Sequence, residues 1–122
     1  MYINFYRYGA RTITMVDIVQ ERVDFAKEYA ATHSFLFPSR KENESNLDYS
    51  QRAAKELVEN SGLTRGFDIV FEVAGADTTI RTSFFACRMG GTVMEVGLGN
   101  PETLVPFVWI AKNELSVQGA YR

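Results

Sequence analysis

Five short runs of β-branched and aromatic residues, each separated from the next by a stretch with helical spacing, constrain this chain more than any other feature. The runs are "RTITMV" (Arg11–Val16), "SFLF" (Ser34–Phe37), "FDIVFEV" (Phe67–Val73), "TVMEVG" (Thr92–Gly97) and the closing "LSVQGAYR" (Leu115–Arg122). After Asp17, Val19, Val23, Phe25, Ala26, Tyr29 and Ala30 recur at helical spacing. The charged "PSRKENESN" has no apolar period and reads as a surface loop. A second helix is expected over Leu47–Asn60, with Ala53, Ala54, Leu57 and Val58 on one face and Gly62 beyond its end. A third, capped by Asp77 or Thr78 and carrying Ile80, Phe84 and Phe85, should end before Gly90-Gly91. A short apolar helix follows around Val105–Lys112. Alternation of this kind predicts an α/β fold, a doubly wound parallel sheet with helices on both faces.

At 122 residues the chain is one domain at most. An apolar fraction of 46% with 23% charged residues is ordinary for a globular chain. A net charge of −2 argues against nucleic acid or an anionic membrane as partner. The start "MYINFYRY" lacks the apolar run of a signal peptide, and no stretch approaches the roughly 20 residues of a bilayer span. Cys87 and His33, the single cysteine and histidine, leave too few soft ligands for zinc. An intracellular, cytoplasmic and metal-free chain is expected. Cys87 reads as a small buried residue and His33 as a surface-loop or helix-cap residue. Glu72 and Glu95, inside strands, are candidates for local pairing.

Three groups of residues sit where strands end. A carboxylate such as Asp17, at the carboxyl end of a parallel strand, can accept hydrogen bonds from both hydroxyls of a ribose. Its charge would repel a 2′-phosphate and so select NAD over NADP. It would equally serve as the cap of the following helix. Arg22 can stack on an adenine or reach the ribose edge, or simply pair with Glu21 or Asp24. In "VAGAD", Val73, Ala74 and Gly75 are small enough to let a flat ring approach the backbone, while Gly75 would also suit a left-handed turn. Gly97 and Gly99 follow the fourth strand, where backbone groups at Val96, Gly97 and Leu98 can meet a carboxamide. All three groups fall on the same edge of one sheet, which points to a nucleotide site.

These residues carry a resemblance. "VDIVQERVDFAKEYAATH", "FDIVFEVAGADTTIRTSFFACRMGGTVMEVGLGN" and the closing "VQGAYR" resemble the coenzyme-binding domain of zinc-type medium-chain alcohol dehydrogenases, and among them the sorbitol and xylitol (polyol) dehydrogenases. The likeness covers about residues 9–122. It implies that Asp17 holds the ribose and Arg22 the adenosine side. It further implies that Val96, Gly97 and Leu98 line the nicotinamide, and that Val73–Gly75 pass their backbone beside the coenzyme. Ala120, Tyr121 and Arg122 would contact it from the last strand. The implied activity is oxidation of a secondary hydroxyl to a ketone by hydride transfer to NAD. Zinc and the polyol substrate would belong to a full-length, homo-oligomeric enzyme.

The sequence also departs from that pattern. A family acid of this kind lies roughly 20 residues after a G-x-G-x-x-G loop. Here only Gly9 precedes Asp17, and the first strand is missing as well. Residues 1–122 are therefore expected to be a partial NAD-binding domain that begins after the phosphate loop and is inactive alone. The alternative is a non-catalytic nucleotide-binding or interaction module derived from such an enzyme. In the order 3-2-1-4-5-6 the first strand is central, so Arg11–Val16 and Ser34–Phe37 lack a link to Phe67–Val73 and Thr92–Gly97. Tyr2–Tyr8 could substitute only as an antiparallel strand, or Arg11–Val16 could pair with Phe67–Val73 directly. Low stability and weak coenzyme affinity are expected either way.

Overall fold

The computed structural model describes residues 8–121. In chain order they form β1 (Thr14–Asp17), α1 (Gln20–Tyr29), β2 (His33–Leu36), α2 (Asn46–Asn60), β3 (Phe67–Glu72), α3 (Asp77–Ala86), β4 (Cys87–Glu95), α4 (Phe107–Lys112) and β5 (Ser116–Gly119). Every described strand pair is parallel, in two sheets ordered β1-β2 and β3-β4-β5. The chain divides into two units, residues 8–39 with Asn60–Gly62, and Arg40–Glu59 with residues 63–121. Arg11–Val16 falls in the first unit and Phe67–Val73 in the second. The substitute strand Tyr2–Tyr8 lies outside the described residues, except for Tyr8 in an exposed turn.

In the first unit, β1 and β2 pair from Thr14↔His33 to Asp17↔Leu36, and α1 makes the crossover. Thr32 fixes the start of the ladder. Its hydroxyl accepts the Ile13 amide at 2.8 Å and donates to the Ile13 carbonyl at 3.0 Å. The expected apolar face of α1 is corrected: Val23 is its one buried residue, and Phe25 and Tyr29 are mostly exposed. A sheet of two four-residue strands is too narrow to cover more of the helix, so these two rings stack on each other, 5.6 Å apart, at i,i+4 spacing. His33 opens β2, half-buried, with Nδ1 3.1 Å from Thr32 Oγ1, rather than lying in a loop or capping a helix.

The second unit begins with the charged loop and α2. Ser45 Oγ accepts the Asp48 amide at 3.1 Å, giving the helix its start. Ala53, Ala54 and Leu57 are buried, as their spacing requires. The sheet's core joins Phe84, Cys87 and Val93, with Val70, Ile80, Ile110 and Leu115 packed against them. Cys87 is buried as expected, and burial pushes its thiol up to about 11. β4 starts five residues earlier than the sequence suggests. Its register with β3 jumps from Phe67↔Cys87 to Ile69↔Thr92, so Arg88–Gly91 bulges outward. Gly90 stands there at φ 69° and donates its amide to the Asn113 carbonyl at 2.8 Å. Neither Asp77 nor Thr78 caps α3. Extended Ala76 occupies that position without a side-chain bond, because the preceding turn is held from another direction. No described helix is long and apolar enough to cross a membrane.

Candidate functional site

The two units each present a carboxyl strand edge. In the first, Asp17 ends β1. Its Oδ1 accepts the Val19 amide at 2.9 Å, so the carboxylate holds the entry to α1, while Oδ2 lies 3.6 Å from Arg22 Nη1. Arg22 thus turns to Asp17 and not to Glu21 or Asp24; Asp24 instead accepts the Gln20 side-chain amide. The Asp17 side chain is about 30% exposed and that of Arg22 about 72%. An acid and an exposed guanidinium therefore stand together at the strand end, with one carboxylate oxygen already used by the backbone.

In the second unit, β3, β4 and β5 deliver three loops to one edge. Glu72, the last residue of β3, is almost fully buried. Its Oε2 accepts the Gly75 amide at 2.9 Å, and its Oε1 accepts the Ala74 amide at 3.1 Å and the Thr79 hydroxyl at 2.7 Å. Successive amides folded around one anion form a small nest, and Gly75 reaches the required turn at φ 73°. The Glu72 carbonyl meanwhile accepts the amides of Val96, at 2.9 Å, and Gly97, at 3.0 Å. One residue thus ties the loop after β3 to the loop after β4.

The two loops meet backbone to backbone. A side chain at Gly75 would put Cβ 2.7 Å from the Leu98 carbonyl carbon, and one at Gly99 would run into the Gly75 carbonyl. Asp77 Oδ1 accepts the Thr103 hydroxyl at 2.9 Å, drawing the end of the second loop onto the start of α3. From β5, the Ala120 amide donates to the Glu95 carbonyl at 2.9 Å. Val73, Leu98 and Tyr121 remain largely exposed and give the edge an apolar surface. Arg122 lies outside the described residues.

The structure thus brings Val73, Ala74, Gly75, Val96, Gly97, Leu98 and Ala120 to one edge. Asp17 and Arg22 belong to the other unit. The amides of Val96 and Gly97 are occupied by the Glu72 carbonyl, so they do not await a carboxamide. The nest at Ala74-Gly75 is filled by the chain's own carboxylate and does not serve as a phosphate cradle. The exposed apolar edge beside close-packed glycines fits a flat ring. For zinc the fit is absent: no three His, Cys, Asp or Glu side chains among the described residues are grouped to hold a metal.

Two participants carry more than sequence reasoning assigned them. Glu72 was legible only as a candidate for local pairing, and Thr79 not at all. The available signal is an acid three residues before a turn glycine, with a hydroxyl two residues into the next helix. Glu95 stands opposite Glu72 in register. Burial and the Glu72 charge push its carboxyl up to about 7, partly offset by the Ser83 hydroxyl 3.4 Å away. A separate cleft of about 590 Å³, walled by α2, Leu63–Gly66, Phe85 and Trp109, lies by the opposite, amino-terminal end of β3 and holds none of these residues.

Residues 6–122 match the family model described as zinc-binding dehydrogenase. The chain is 36% identical over 115 residues to D-xylulose reductase A of Aspergillus oryzae, a match covering 94% of this chain and 30% of that protein. Among solved structures it is similar to benzyl alcohol dehydrogenase from Acinetobacter calcoaceticus, with a TM-score of 0.77 and 20% identity over 98% of this chain and 30% of the other. It is likewise similar to 2R,3R-butanediol dehydrogenase from Bacillus subtilis, with a TM-score of 0.71 and 22% identity over 97% and 31%. The fold is thus that of the Rossmann-type coenzyme-binding domains. The chain spans about 30% of the length of the curated relatives it matches.

Proposed function

Because the chain belongs to the zinc-binding dehydrogenase family, we propose that its residues 1–122 form part of the NAD-holding domain of a polyol or alcohol dehydrogenase. The observation that carries this reading is the carboxyl edge of β3-β4-β5, where two glycine loops interlock and expose Val73 and Leu98. Ligands of open α/β sheets bind at that edge. NAD, when bound, would supply the acceptor for the hydride of a secondary alcohol as it becomes a ketone, the hydroxyl proton passing to solvent. The residues of this chain bind and orient. Asp17 accepts the ribose hydroxyls on its outward oxygen while Arg22 covers the adenosine side. Val96–Leu98 line the nicotinamide, Val73–Gly75 pass their backbone beside the coenzyme, and Ala120, Tyr121 and Arg122 contact it from the last strand. A polyol substrate, the zinc and subunit assembly belong to a full-length enzyme of this kind.

A second reading, a non-catalytic nucleotide-binding module, is favoured for the chain by itself by the lack of any grouped metal ligands among the described residues. Calorimetric titration of the 122-residue chain with NAD and NADP tests the first reading. NAD should bind more tightly, and Asp17→Ser should narrow the difference, because Asp17 no longer repels a 2′-phosphate. Equal binding of both coenzymes by the parent would overturn the role given to Asp17.

A further inference from the structure

Glu72 and Glu95 are register partners on adjacent parallel strands, so both side chains leave the sheet on the same face, beneath α3. Thr79 and Ser83 of α3, one turn apart, each donate to one of them, at 2.7 Å and 3.4 Å. Among the described residues no cation is paired with either carboxyl. Arg81, the basic residue of α3, lies 3.5 Å from Asp77 Oδ2 and donates to the Asp77 carbonyl at 3.1 Å. On the β5 side the register partner of Glu95 is Gly119, which brings no charge. Two carboxyl groups thus share one face, one committed to holding a loop and the other free to change its charge.

We propose that Glu72 and Glu95 form a proton-sensitive latch, in which the Glu72 carboxylate holds the loop after β3, which packs on the loop after β4, and the charge on Glu95 sets how firmly. With Glu95 protonated, its register partner meets no second charge from it, and the bonds of Glu72 to Ala74, Gly75 and Thr79 are undisturbed. When Glu95 loses its proton, a second negative charge appears beside the first and opposes its position in the nest. Glu95 changes charge near neutrality, about 7. The latch is therefore tight on the acid side of neutrality and loosens above it. Since Gly75 packs directly on Leu98 and Gly99, loosening it displaces the proposed nicotinamide seat. That consequence rests on the coenzyme reading above, whereas the latch itself does not.

The test is amide hydrogen exchange and 15N chemical shift at Gly75 in the 122-residue chain between about pH 5.5 and 8.5, with Glu95→Gln alongside. After correction for intrinsic exchange, Gly75 protection should fall about fivefold across neutrality in the parent, as expected of one solvent-screened like-charge neighbour. Glu95→Gln should keep the acid-side protection throughout. Persistence of the inflection in Glu95→Gln, a flat profile in the parent, or no Gly75 protection at any pH would overturn the latch. Glu72→Gln supplies a second readout: it should lower Gly75 protection at every pH, and unchanged protection would also overturn the proposal. NAD titrations at the two ends of the range separate the two ideas. A Gly75 response without NAD binding supports the latch and refutes the coenzyme site. NAD binding with a flat Gly75 profile does the reverse.

Discussion

Gly97→Ala should be among the most damaging single-methyl changes in the second unit. An added Cβ would press on the Gly75 amide nitrogen, lie 2.5 Å from Glu72 Oε2 and 2.8 Å from the Gly75 Cα. Two of those atoms are backbone and cannot step aside without moving the loop. Forcing a methyl into such a site costs about 1–3 kcal/mol. Moving the carboxylate also weakens its charge-assisted bond to Gly75, and such bonds contribute about 1.5–3 kcal/mol each. A loss of about 3 kcal/mol is therefore expected, a large part of the roughly 5–15 kcal/mol available to a domain. Two glycines calibrate it. Gly119→Ala, whose Cβ meets nothing within 4 Å, should stay within about 0.5 kcal/mol of the parent. Gly90→Ala, at φ 69° with only Arg88 Nη1 at 3.7 Å, should lose about 1–2 kcal/mol from backbone strain alone. Urea unfolding followed by the fluorescence of the single tryptophan, Trp109, reads all three, with midpoint shifts compared at unchanged slope. If Gly97→Ala falls within about 0.5 kcal/mol of Gly119→Ala, the interlocked loops are refuted.

Glu44 is held down to about 2, first by hydrogen bonds from the Arg52 guanidinium and then by the Lys41 amide. Its contribution to stability is thus present above the usual carboxylate range and lost as pH falls toward 2. A carboxyl 13C titration should show this, with Arg52→Gln returning Glu44 toward 4.5, and a parent value near 4.5 would contradict it. Glu95 has the opposite sign, because the folded state holds its proton more tightly. Stability should decline as pH rises from about 4.5 to about 7 and then level off. Solvent screening at this half-buried site reduces the effect to about 1 kcal/mol. Urea midpoints at both ends of that range should converge in Glu95→Gln, and an undiminished decline would contradict the assignment. The 122-residue chain should oxidise no polyol with or without added zinc, since it groups no metal ligands among its described residues. NADH formation by the purified chain would contradict that.

How far the sequence carried is clearest at particular residues. Strand runs and parallel pairing were legible because β-branched content and alternation are local signals. The face of α1 was not, because burial of Phe25 and Tyr29 depends on how wide a sheet lies beneath them, which their spacing cannot encode. The early start of β4 at Cys87 was hidden by Gly90-Gly91, which read as a terminator but forms a bulge within the strand. At Asp17 two readings competed in the sequence, and the helix-cap one is corrected: Val19 is the N-cap of α1 and carries no side-chain cap bond, while Asp17 accepts the Val19 amide on one oxygen and faces Arg22 with the other. The role of Glu72 needed register and loop geometry together. Nothing in "FDIVFEVAGAD" says that Gly75, Ala74 and Thr79 fold back onto one carboxylate.

The central claim is that the carboxyl strand edges, and not the cleft by α2, receive the coenzyme. Backbone 1H–15N spectra of the 122-residue chain titrated with NAD test it residue by residue. The expected result is a saturable set of shifts at Asp17 and Arg22, at Ala74 and Gly75, at Val96–Leu98 and at Ala120, with Lys55, Arg65 and the Trp109 indole unmoved. Shifts confined to Gln51–Glu59, Leu63–Gly66 and Trp109, which line the cleft, or no shifts with NAD in large excess, would contradict it.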